Sequence, residues 1–513
     1  MFNFYKIFFS VIFLISVSGY VFSQEISQSS SDIRPDKSLI KLHILHINDF
    51  HGAVEPFMDP EISPDSETGG IASLKTLIDR ERAEDIAGTM VLNAGDIAEG
   101  TMVAYISGGK VVTDVFKLIG FDAITLGNHD FAWGQDRLQY MIEDLDTPVL
   151  GANIIKTSDG NVMDGVKPYI IKEMKGVKIA VIGIDTPDIA RFVDKSRREG
   201  LEFKDSAETV EKFLPEVKGA DLIIVLSHIG EREDEKLAAE VKGIDVIVGG
   251  HSHTRLEHAR KVGHTIIVQA ASQGKYLGEL ELYLDSKTKK IVNYSSRLIP
   301  VIAKDITPDP AIEKLIAPYI EETEKIGSEV MGEASEDLTY GHRFMGKLNQ
   351  IHADSIWKKS GAPCGICNSR TLRGNVKAGV VTKKDLYSAL PFTEEGFVTL
   401  TIKGRYIRQH IERCLSDGAT ELAIPAGSLK YSYDPSKPDG HRLISLTVEG
   451  KEMDDNREYF IFVNETMGRH KDFETAKDRK RIGSCQNEFF EYFKAGKEPW
   501  DNKTDDRITV IHP

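Results

Sequence analysis

"LHILHINDFHG", residues 42–52, runs an apolar stretch straight into an acid and an imidazole. Leu42, Ile44, Leu45 and Ile47 occupy both parities of the run, which reads as a strand buried on both faces. Asp49 and His51 follow directly, with Gly52 behind them. Four more segments share the design: "MVLNAGD" (90–96) ends on Asp96, and "AITLGNHD" (123–130) on Asn128, His129 and Asp130. "DLIIVLSH" (221–228) ends on His228, and "DVIVGGHSH" (245–253) on His251 and His253. Helical stretches such as "GGIASLKTLIDRERAED" (69–85) separate some of them. Layered α/β folds gather ligands at the carboxyl ends of their strands, so five polar tips there can converge on one point.

The residue types name what they converge on. Asp, His and Asn supply hard oxygen and borderline nitrogen donors without a thiolate, a set suited to Zn, Mn, Fe or Co rather than calcium or copper. Asp49, His51, Asp96, Asn128, His228, His251 and His253 are more donors than one ion needs. Two divalent ions about 3.5–4 Å apart, sharing a carboxylate, are the economical arrangement and serve hydrolytic phosphate chemistry.

The 513-residue chain is long enough for two domains, with 41% hydrophobic and 28% charged residues and a formal charge of −15. That charge excludes a role coating a nucleic-acid polymer but leaves room for a small phosphorylated substrate met by metal ions. "MFNFYKIFFSVIFLISVSGYVFSQ" carries one lysine and then an apolar stretch from Ile7 to Phe22. It falls short of the roughly 18–20 residues of a membrane helix and reads as a cleavable signal over 1–23, giving a secreted or periplasmic protein with no stable membrane span. The four cysteines, Cys364, Cys367, Cys414 and Cys485, fit a disulfide or small buried side chains better than a zinc site.

The strand tips "DFH", "GD", "GNHD", "SH" and "GHSH" resemble, in order, the calcineurin-like metallophosphoesterase pattern. Downstream, "HADSI" and "NSRTLRGNVKAGVVTKKDLYSALPF" are similar to the C-terminal domain of the secreted 5′-nucleotidase / UDP-sugar hydrolase family. The resemblance implies an α/β protein: a four-layer αββα sandwich over 39–302, a helical linker over 303–336 and an α/β substrate-binding domain over 337–513. Asp49, His51 and His253 would then hold one ion, Asn128, His228 and His251 the other, with Asp96 bridging. His129 would stay off the metals as the catalytic group on the phosphoryl and leaving oxygens. Asn368 and Arg373 remain from the family's glycine-rich loop, while Phe392 and Phe473 match its base-stacking pair. "TPDPAIEKLIAPYIEETEKIGSEV" resembles the linker helix, here interrupted by Pro318.

The function so implied is hydrolysis of nucleotide phosphate esters. The alternatives are a UDP-sugar, a cyclic nucleotide, a sulfur-oxidation thioester, or a degenerate metal-binding protein. Relatives often carry an aspartate three residues after the catalytic histidine; Ala132 stands there in this chain, and His129 is expected to titrate lower for lack of it.

Overall fold

The computed structural model describes residues 38–393 and 395–511; the expected signal over 1–23 lies outside them. Strand Leu39–Ile47 pairs in parallel with Thr89–Asn93, which leads on through Ala123–Thr125 to Val149–Leu150. Antiparallel Tyr276–Asp285 and Ile291–Pro300 complete a six-stranded sheet on the other side. A second six-stranded sheet has a parallel centre of Val177–Asp185, Leu222–His228, Val246–Val248 and Thr265–Val268.

Alternation along the first strand builds the layers. Leu42 and Ile44 point into the core between the sheets, which they share with Ile224, Leu226 and Val248 of the second sheet. Leu45 and Ile47 point the other way, against Leu74, Leu77 and Phe116 of helices Ile71–Glu84 and Lys110–Ile119. Helices Ser206–Phe213 and Glu231–Glu240 cover the outer face of the second sheet through Val210, Phe213 and Leu237. Both strand parities are buried because both faces are covered, and the result is four layers, αββα.

Helix Pro310–Gly327 connects this sandwich to the rest. Asp309 caps it, accepting from the backbone N–H of Ala311 and Ile312 at 2.9 and 3.0 Å, and Pro310 occupies the first turn. Pro318 does not interrupt it, contrary to the sequence reading. The proline lies on the exposed side, where water can take the carbonyl it leaves free. Ile312 and Ile316, meanwhile, anchor the opposite side in the core. The remaining residues include a five-stranded sheet ordered Ala423–Gly427, Cys364–Asn368, Glu458–Asn464, Gly396–Lys403 and Lys477–Ser484, and a smaller four-stranded sheet. Helices Lys347–Ser355, Gly404–Cys414 and Cys485–Lys494 pack on it. All four cysteines are free and buried there, so the small-side-chain alternative holds. Among the described residues no helix is long and apolar enough to cross a membrane.

Candidate active site

The five polar tips meet at one edge of the sandwich. Asp49, His51 and His253 present donor atoms to one another, as do Asp96, His228 and His251. His253 Nε2 lies 3.2 Å from Asp49 Oδ1 and 3.2 Å from His51 Nε2. Asp96 Oδ2 lies 3.0 Å from His228 Nε2 and 3.9 Å from His51 Nε2, so one carboxylate reaches both groups. Asn128 Oδ1 is buried nearby without a hydrogen-bond partner.

Main-chain carbonyls orient the imidazoles. His228 Nδ1 donates to Ala94 O and His51 Nδ1 to Glu99 O, both at 2.6 Å. A carbonyl only accepts, so each Nδ1 carries a proton, and Nε2 is the nitrogen turned inward, the one metal ligation would use. Burial pushes His51 and His251 down to about 3, which keeps them neutral. Burial also opposes charge on His228, but Asp96 beside it prevails and raises it well above the usual imidazole range. The buried Oδ1 of Asn128, without a hydrogen-bond partner, is a group a divalent ion would satisfy, and the donor set fits two such ions.

Tight loops make this convergence possible. Asp49, His51, Asp96, His251 and His253 all have left-handed φ values, between 50° and 72°. Residues with side chains adopt that region at an energetic cost of about 1–3 kcal/mol each, and such outliers cluster at functional sites. Gly127 is needed for another reason: a Cβ there would stand 2.6 Å from His228 Nε2. Asp130 is no ligand. Its carboxylate accepts the backbone N–H of Gly127, Asp96 and Ile97 at 2.9–3.1 Å and so ties two of the tips together.

His129 sits on the 3-10 turn Asn128–Phe131, at the wall of a cavity of about 630 Å³. Its backbone N–H donates to Asp96 Oδ1 at 2.8 Å, and its Nδ1 lies 2.5 Å from Glu99 Oε2. The expected deficit at Ala132 is therefore corrected. Burial opposes charge on His129, yet Asp96 and Glu99 outweigh it and raise the imidazole above its ordinary value. The sequence reading missed Glu99. Its one signal was a further acid three residues past Asp96, inside a loop closed by Gly100.

Of the expected substrate residues, Asn368, Arg373 and Phe392 line the cavity, together with Arg370. Phe392 stacks on His129, with ring centroids 4.9 Å apart at 28°, and the Arg373 guanidinium carbon lies 4.6 Å from its ring centre. Asn368 donates to Glu421 at 2.7 Å and caps the turn Ser369–Thr371. Arg373 donates to the Leu372 carbonyl at 3.1 Å and forms no ion pair among the described residues, and burial, helped by Arg370, lowers it to about 9. Phe473 is not in the cavity, which corrects the second stacking aromatic. It is fully buried in the core against His410, because the 3-10 turn Lys471–Phe473 turns its ring inward. A third cluster, His410, His470 and Asp472, is filled by Arg413, whose Nε donates to Asp472 at 3.1 Å. That guanidinium supplies the positive charge there.

Seven donors on five strand tips of an αββα sandwich, with a cationic cavity wall brought over them, define a metal-dependent phosphoesterase. The calcineurin-like phosphoesterase family profile matches residues 42–255, and that of the 5′-nucleotidase C-terminal domain residues 330–478. A snake venom 5′-nucleotidase from Naja atra is 30% identical over 455 residues, covering 80% of this chain and 84% of that one. A probable 5′-nucleotidase from Treponema pallidum is 29% identical, covering 84% and 86%. The crystal structure of a 5′-nucleotidase precursor from Thermus thermophilus aligns with a TM-score of 0.79 at 25% identity, over 92% of this chain and 100% of that one. The chain belongs to the 5′-nucleotidase family of metal-dependent phosphoric ester hydrolases.

Proposed function

We propose that the protein hydrolyses phosphate monoesters of nucleotides outside the cytoplasm, using water attack at a two-ion centre. The observation that carries this is the Asp96 carboxylate, which stands between His228 of one donor group and His51 of the other. Asp49, His51 and His253 would hold one ion and Asn128, His228 and His251 the other, with Asp96 shared. When bound, the ions acidify a water and neutralise phosphoryl oxygens. The chain's own residues do the rest. Arg373, without a carboxylate partner, draws the substrate's anion into the cavity. His129, raised above its ordinary value beside Asp96 and Glu99, can give a proton to the leaving oxygen. Phe392 offers an aromatic face to a base.

The inward turn of Phe473 favours a second reading, a phosphate ester lacking a base, since one wall of the expected clamp is missing. Metal analysis and a substrate panel separate the two. Mononucleotides should exceed simple sugar phosphates in kcat/KM by at least tenfold with Mn²⁺ or Zn²⁺, and equal values would establish the second reading. The apolar N-terminal segment supports export. A mature chain beginning at Gln24 is the expected result of N-terminal sequencing, and an intact Met1 would refute it.

A further inference from the structure

We infer that Glu99 is the positioning residue for His129, a task performed from a different loop because Ala132 cannot perform it. This rests on the proposed role of His129. Glu99 Oε2 lies 2.5 Å from His129 Nδ1, and its side chain is only 3% exposed. No other carboxylate is paired with that imidazole among the described residues. Its second oxygen is buried without a hydrogen-bond partner, so this contact is the one on which the carboxylate is spent.

The backbone explains how Glu99 gets there. Its carbonyl accepts from His51 Nδ1 at 2.6 Å, so the residue is fixed at both ends, main chain to one imidazole and side chain to another. Gly100 follows with φ 152°, and a Cβ on it would stand 2.7 Å from His51 Cβ. Only glycine lets the loop run this close to His51, and that approach brings Glu99 beneath His129. Ala132 closes the argument from the other side. It follows the 3-10 turn Asn128–Phe131, where residues three apart eclipse, so an acid at 132 would reach the same imidazole. Two acids on one ring would repel each other, and the chain has one.

Holding Nδ1 leaves the other ring nitrogen to face the substrate as a proton donor. The proton then passes from His129 to the alcohol oxygen as its bond to phosphorus breaks. An alkoxide leaving group needs that proton, whereas p-nitrophenolate departs without it.

The test uses the full-length, metal-loaded protein. Glu99→Ala should lower kcat for a nucleoside monophosphate on the order of 10²-fold, with metal content unchanged and p-nitrophenyl phosphate turnover largely spared. Ala132→Asp placed in the Glu99→Ala protein should restore most of the loss. In a His129→Ala background, Glu99→Ala should have no further effect. Equal loss on both substrates, loss of metal, no rescue, or full additivity with His129→Ala would each overturn the inference. If His129→Ala itself leaves nucleotide turnover unchanged, the role of His129 fails and this inference falls with it. If His129→Ala is damaging and Glu99→Ala is harmless, only the inference about Glu99 fails.

Discussion

The Nε2 atoms of His51 and His253 lie 3.2 Å apart, although 202 positions separate the two residues in sequence. His51 has its proton on Nδ1, committed to the Glu99 carbonyl, so it turns a lone pair toward His253. A cation held by both imidazoles would replace this single contact with two metal bonds. Ion binding and fold stability should therefore be linked.

Saturating Mn²⁺ or Zn²⁺ is expected to raise the melting temperature relative to chelator-treated protein, with ~4 kcal/mol available at a thousandfold excess over Kd. Asp96→Asn weakens both groups at once, and calorimetry should find its melting temperature nearly indifferent to metal. Gly127→Ala should behave similarly, because its Cβ intrudes on His228 Nε2. A parent protein whose melting ignores metal would contradict the two-ion reading.

Phe392 touches both His129 and Arg373 of the cavity wall. Phe392→Ala should raise KM for nucleotides in line with ~1–3 kcal/mol of base stacking. Because the ring also lies on His129, kcat for nucleotides should fall as well. Steady-state kinetics separates the two effects: a KM change with kcat intact would mean that the ring leaves His129 when substrate arrives.

Acid should destabilise the second half of the chain through His352. This imidazole packs on Phe397 with no partner for Nε2, and burial pushes it down to about 3. Its unfolded value is near 6.5. Between those values the unfolded chain binds the extra proton, so stability is intact above pH 6.5 and falls as pH drops toward 3. His352→Leu removes that dependence. Urea unfolding at pH 7 and pH 5 should show the variant gaining about 2 kcal/mol on the parent over that interval. Parallel curves would show that His352 does not contribute.

The αββα layers were legible because strands covered on both faces need apolar residues at both parities, and the donor tips interrupt those runs abruptly. Asp49 through His253 could thus be read as one constellation. Glu99 could not, since its reach to His129 depends on how closely Gly100 passes His51, a property of loop path rather than spacing. Phe473 misled for a related reason. A motif position gives the place of a residue in the chain, but the turn at Lys471–Phe473 decides which way its ring faces. Pro318 argued locally for a break, and the packing of Ile312 and Ile316 overrode it.

The left-handed backbone at Asp49, His51, Asp96, His251 and His253 sets heat tolerance against catalysis at the same five positions. Glycine at any of them would relax the chain and delete a donor. A selection for thermal endurance in metal-free medium would therefore enrich glycines there and recover hardy, inactive proteins. Selection with ions present would keep the strained residues, because the bound ions hold those loops in place.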